Sequence, residues 1–239
     1  APASPKASSS SSSSPHLVQY IPAQCAPEKF GSGDPCKDND LERTYIHFLR
    51  LLALALDHVF QQTVNDKLEA AGVRLVGGGA SSGGIKGYER MANKMLSRDD
   101  HRDLPKPRPA HNIDVVRCLA TFDTVDDMRK GFDVLQAVFD GGVYVKFKNG
   151  MAWSDEYAAS RFHLRLVLAT GRFAFPSRRT MRELRHDPSV QAAWNNYLQS
   201  EPVPLSVARG TWRRQAQQAL EWIREIPDAT IMASRMAAL

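Results

Sequence analysis

The stretches Val143-Tyr144-Val145-Lys146-Phe147-Lys148 and Arg161-Phe162-His163-Leu164-Arg165-Leu166 decide how the fold is read. Successive side chains on a strand point to opposite faces, so residues two apart share one. Val143, Val145 and Phe147 then oppose Tyr144, Lys146 and Lys148. Phe162, Leu164, Leu166 and Leu168 oppose Arg161, His163 and Arg165. A third run, Asn112 to Thr121, reads as a buried strand with Asn112 and Asp114 on one side and Arg117 on the other. As neighbours, these strands would make one apolar face and one face that gathers Tyr, Lys, Arg, His and a carboxylate. The wet face of any antiparallel sheet alternates in the same way. The sign bias argues for more: Lys146, Lys148, Arg161 and Arg165 are like charges on adjacent strands, which destabilise a sheet unless anions lie among them.

Outward from these strands the periodicity changes to helical. Leu49, Leu52, Leu56, Val59 or Phe60, and Val64 recur at three- and four-residue steps, so Leu41 to Ala71 reads as one amphipathic helix stopped by Gly72, with Lys37 to Asp40 supplying its N-cap. His47 and His58 on it read as surface or core histidines rather than ligands. The glycine-rich run Gly77 to Gly84 imitates a P-loop, but Ile85 separates Gly84 from Lys86 and Gly87 follows, so that motif fails. Ile85 to Leu96 reads as a helix carrying Lys86, Arg90 and Lys94 at four-residue spacing on one face. Arg98 to Pro109 is a proline-interrupted loop, and Val125 to Phe139 a helix closed by Gly141-Gly142. Beyond Pro176, Thr180 to His186, Pro188 to Gln199 and Val207 to Ile226 read as helices, the last with Trp212, Ala216, Leu220 and Ile223 on one side.

The expected fold class is therefore α+β: a mixed small sheet packed against a long N-terminal helix, with a helical C-terminal region. The expected partition is a disordered Ser/Pro/Ala-rich tail at 1–37, an α+β domain with a basic sheet face at 38–176, and a helical extension at 177–239. The serine run Ser8 to Ser14 cannot bury enough apolar surface to offset its ordering entropy. Its acid-poor surroundings resemble those of organelle targeting peptides, although only one Lys and no Arg precede residue 29, so an organellar location after processing is one expectation.

The 239 residues are 43% hydrophobic and 24% charged, an ordinary globular mix, with a mean hydropathy of −0.37 and no run long enough to span a bilayer. Thirty-one Lys and Arg against 26 acids, for a net +5, favour anionic partners: a nucleotide or other phosphate ligand, RNA, or an acidic protein face. Three cysteines without CxxC or Cys/His spacing exclude a zinc module. Cys25 and Cys36 are read as free thiols or, in an oxidising compartment, a bridge.

The order Gly83 to Lys94-Met95, then Asn112-Ile113-Asp114-Val115-Val116-Arg117-Cys118, a helix, Lys148-Asn149-Gly150 and a strand containing His163 resembles the synthetase domain of RelA/SpoT-type alarmone enzymes over about residues 41 to 170. The resemblance implies a nucleotidyltransferase-like, pyrophosphokinase-type fold. Lys86, Arg90 and Lys94 would meet the phosphates of a nucleoside triphosphate, with Lys146, Lys148, Arg161, His163 and Arg165 as further phosphate ligands. In that family an Asp five residues before the strand Arg holds magnesium. Asn112 occupies that position here, so the metal-binding and catalytic role passes to Asp114, two residues on. The family's guanine-stacking Tyr is replaced by Met151, leaving Tyr144 or Trp153 to stack on the base. The family's Glu-x-Gln strand, which activates the acceptor, has no counterpart after Thr170, and Glu183 lies among Arg178, Arg179, Arg182 and Arg185. Efficient alarmone synthesis is therefore not expected. The alternative is a non-catalytic RNA-binding or interaction subunit using those arginines and Arg172. Aromatic content of 8% and the absence of paired exposed aromatics argue against an RNA-reading sheet.

Overall fold

The computed structural model describes residues 22–31, 33–82, 84–112, 114–160, 167–173, 181–200, 202–204 and 207–226. Its spine is α1 (Pro35–Ala70), 36 residues and about 54 Å long at 1.5 Å per residue. The start is set by Asp34, whose carboxylate accepts from the amides of Cys36 (2.9 Å) and Lys37, with Pro35 at the first helical position where its missing N–H costs nothing. The end is set by Gly72 at φ +64°, where the amides of Gly72 and Val73 return to the carbonyls of Glu69 and Leu68. The helix thus begins six residues earlier than its apolar pattern, because a capping Asp and Pro precede that pattern.

From Thr44 to Leu51 every residue of α1 is buried, so this segment is enclosed on all sides. The helices α2 (Tyr88–Leu96), α3 (Val125–Val138), α6 (Pro188–Ser200) and α7 (Arg209–Glu225) each pack on α1. Trp212, Ala216, Ala219, Leu220 and Ile223 form the buried stripe of α7, while Val190, Trp194 and Tyr197 form that of α6. The Trp194 indole donates to the Leu51 carbonyl at 2.8 Å. The short α5 (Met181–His186) leads into α6, and Arg185 donates to the carbonyls of Ile223 (3.3 Å) and Ile226, closing the end of α7. Among the described residues, no helix is long and apolar enough to cross a membrane.

The expected α+β class is corrected: the chain is predominantly helical, and among the described residues no mixed sheet packs on α1. The described strands form two separate antiparallel pairs. One joins β1 (Ser81–Ser82) to β2 (Cys118–Leu119), extended by a bridge between Leu75 and Phe122. The other joins β3 (Phe139–Asn149) to β4 (Val167–Phe173), with Lys146 opposite Thr170 and Lys148 opposite Leu168. The run Asn112 to Thr121 fails as a strand because Val115 and Val116 bend the backbone, leaving only Cys118 and Leu119 to pair. Gly141 and Gly142 do not close α3. That helix ends at Val138 and β3 follows directly, running through both glycines, with register shifts between Phe139 and Lys146 absorbing the irregularity. A short 3-10 turn, Gly150–Ala152, and α4 (Asp155–Ala159) follow the hairpin strand.

Cys25, ahead of the expected boundary at residue 38, is fully buried in the same core as Trp194, Trp212 and Trp222 of the expected C-terminal extension. All three cysteines are free, Cys25 and Cys118 buried and Cys36 exposed.

Candidate anion site

Lys86 lies before α2 rather than on it, in an extended approach where its amide donates to the Val115 carbonyl at 2.8 Å. Gly87, the N-cap of α2, carries no side chain to cap with, and the four-residue stripe of Lys86, Arg90 and Lys94 is broken at its first member. The extended approach instead drives the Lys86 side chain inward. It has no exposed surface, and its ammonium donates to Asp114 Oδ1 at 2.5 Å and to Asn112 Oδ1 at 3.0 Å. The bend at Val115 and Val116 brings Arg117 back over Asp114: Arg117 Nε donates to the Asp114 carbonyl at 3.2 Å and Nη2 to Asp114 Oδ2 at 3.4 Å. On a regular strand those two side chains would have pointed apart.

Around this carboxylate the charge is unbalanced. Burial, opposed by Asp114 and reinforced by Lys94, lowers the Lys86 pKa to about 8. Burial pushes the Asp114 carboxyl up, but Lys86, Lys94 and Arg117 together hold it below the usual carboxylate range. Burial depresses Arg117, with Arg90 adding to the effect and Asp114 opposing it. Lys94 is paired only with Asp100, at 3.6 Å across a partly exposed contact that contributes little. Arg90 is exposed. Four cations thus surround one enclosed carboxylate and one surface carboxylate.

The loop before this segment is locked to α1. Glu42, fully buried, receives the Arg108 amide at 2.8 Å and Nε at 2.9 Å, and also pairs with Nη2. Arg108 Nη1 donates to the Met95 carbonyl at the end of α2. The 3-10 turn Arg108–His111 then delivers Asn112, whose side-chain amide donates to the Pro109 carbonyl while its oxygen takes Lys86. His101 sits at the edge of the cluster, its amide bonded to the Lys94 carbonyl and its ring 6.0 Å from that of His111. Burial and Lys94 depress its pKa, and Asp100 opposes them.

Of the residues singled out from sequence, Arg90, Lys94 and Asp114 come together, with Lys86 beneath them as a buried support rather than a ligand contact. Lys146 and Lys148 belong to the other strand pair, so no shared sheet face joins them to Asp114. The side chains of Tyr144, Lys146 and Lys148, and all of Arg161, His163 and Arg165, lie outside what the structure describes. Trp153, expected to stack on a base, packs edge-on against Tyr157 with ring centroids 5.0 Å apart. Arg117, Asn112 and His101 were missed. The Asp114 and Arg117 spacing of three residues signals a pair only if the chain turns between them, which alternating hydrophobicity conceals.

Magnesium does not suit this donor set as arranged. Both Asp114 oxygens face cations, and among the described residues no group of three His, Cys, Asp or Glu side chains is placed to hold a metal ion. The arginine cluster of the alternative reading is partly consumed by the fold, since Arg185 closes α7. Arg178 and Arg179 lie outside the described residues.

Compared with known proteins, the chain matches no family model, no curated protein and no solved structure.

Proposed function

We propose that this chain binds a phosphate-bearing ligand, a nucleotide being the natural case, on the surface made by Arg90, Lys94 and Arg117. The observation that carries the reading is Asp114, held by Lys86 at 2.5 Å and by Arg117 at 3.4 Å, with Lys94 near enough to act on the carboxylate and Arg90 near enough to act on Arg117. Like charges held this close are stabilised by an anion between them, and charge-assisted bonds to phosphate oxygens are the strong kind. The likeness of the Lys86 to Arg117 order to alarmone synthetases supports a nucleotide as occupant. The absence of a Glu-x-Gln counterpart supports binding without turnover.

Calorimetry with ATP at low salt tests this. Lys94→Ala and Arg90→Ala should each weaken binding roughly tenfold to a hundredfold, the loss of one charged hydrogen bond. Arg224→Ala on α7 should leave affinity unchanged. Equal affinity in all three variants and the parent chain would remove the site.

A further inference from the structure

Resting on that reading, we infer that Asp114 is the site's built-in counter-anion and that the phosphate ligand is bound without a divalent metal. The argument is one of oxygen accounting. Asp114 Oδ1 lies 2.5 Å from Lys86 Nζ, an ammonium with no exposed surface and therefore no water to replace its partner. Asp114 Oδ2 faces Arg117 Nη2 at 3.4 Å, and the guanidinium is anchored a second time through Nε on the Asp114 carbonyl. A divalent cation at Asp114 would have to enter between the carboxylate and two cations, displacing at least one of them. Displacing Lys86 would strand a buried charge with only Asn112 as acceptor. Asn112 is a neutral amide whose oxygen is already taken, so it adds no negative charge toward a metal.

The same arrangement explains how the site is kept ready. Without an anion, Asp114 neutralises part of the field of Lys86, Lys94 and Arg117 and holds the cluster together. An incoming phosphate competes with Asp114 for Arg117 and with Asp100 for Lys94. The carboxylate therefore works against the ligand, and its removal should tighten binding. A metal-bridging carboxylate would do the opposite.

The experiment measures binding of inorganic tripolyphosphate and of ATP by calorimetry, once with EDTA and once with excess magnesium, for the parent chain and for Asp114→Asn. The inference expects affinity in EDTA at least equal to that in magnesium, because the metal cancels two ligand charges, and several-fold tighter binding by Asp114→Asn. Binding that appears only with magnesium, or that Asp114→Asn abolishes while its unfolding midpoint is retained, overturns it and leaves the phosphate reading standing. If Asp114→Asn does not fold, the EDTA comparison on the parent chain decides alone. No binding of either compound in either condition removes the inference together with the reading beneath it.

Discussion

His47 has no exposed surface and sits where α1, α2, α6 and α7 meet. The Tyr197 hydroxyl accepts from Arg50 at 3.1 Å and is hydrogen-bonded to His47 Nδ1 at 2.8 Å. The rings of Tyr88 and Trp212 stand 4.8 Å from the imidazole. Burial, reinforced by Arg50 and opposed by Gln215, drives the His47 pKa down to about 3. The sign follows. A depressed folded-state value means stability that is complete above the unfolded value of 6.5 and is lost as pH falls toward 3, because the unfolded chain takes up the proton first. The unfolding midpoint should fall between about pH 7 and pH 4.5, a window in which exposed carboxylates stay largely ionised. His47→Gln should flatten that slope, since His101, also depressed, supplies only part of it. An unchanged slope in His47→Gln would show that the ring is not held neutral. The sequence placed His47 on the helix but not its burial, because the partners that seal it lie about 40 to 170 residues away in the chain.

Elements were legible where one periodicity ran unbroken. The helices α1, α3, α6 and α7 all follow from three- and four-residue spacing, with errors of a few residues at ends set by caps such as Asp34. The alternation of Val143 to Lys148 does mark a strand, part of β3 paired with β4, whereas that of Asn112 to Thr121 does not, and alternation alone says nothing about how the pairs sit in the fold. Pairing depends on contacts distant in sequence. The candidate site was half legible: Lys94 and Arg90 follow from charge and spacing and Asp114 from the resemblance, whereas Arg117 depends on a bend that no pattern announces. A glycine shows the same dependence on distant partners. Gly131 lies inside α3, where alanine ordinarily gains about 1 kcal/mol over glycine. A Cβ there would stand 2.3 Å from the Phe122 ring, in the segment bridged to Leu75, so the ring must move. Overpacking of this kind costs about 1–3 kcal/mol and exceeds the propensity gain. Gly131→Ala should therefore lower the urea midpoint, and Phe122→Leu in the same chain should recover part of the loss. A midpoint raised by the single substitution would mean the ring is not packed against the helix.

At the scale of the molecule, the question is whether the C-terminal helices are an appendage or half of the core. The residues of α1 that α6 and α7 cover include Phe48 and Leu51, both fully buried, and Phe48 packs against Trp222 with ring centroids 6.4 Å apart. Polar links cross the same boundary: Arg214 and Gln215 donate to Asp40, and Trp194 to the Leu51 carbonyl. Removing α6 and α7 would expose an apolar stripe along the enclosed segment of α1 and leave His47 and Arg50 without Tyr197. Each buried Trp or Tyr lost contributes on the order of a Phe/Trp→Ala truncation, about 3–5 kcal/mol, so the loss of Trp194, Trp212 and Trp222 alone, about 9–15 kcal/mol, matches the roughly 5–15 kcal/mol that holds an ordinary domain together. A chain ending at residue 186 should therefore show no cooperative thermal transition and should be cut rapidly within α1 by proteases, whereas the whole chain melts in one step. The anion site depends on this core through Glu42 and Arg108, so the shortened chain should also lose tripolyphosphate binding although every cation of the site is retained. A shortened chain that melts cooperatively and binds the anion would show residues 22–186 to be a self-sufficient domain and α6 and α7 an addition to it.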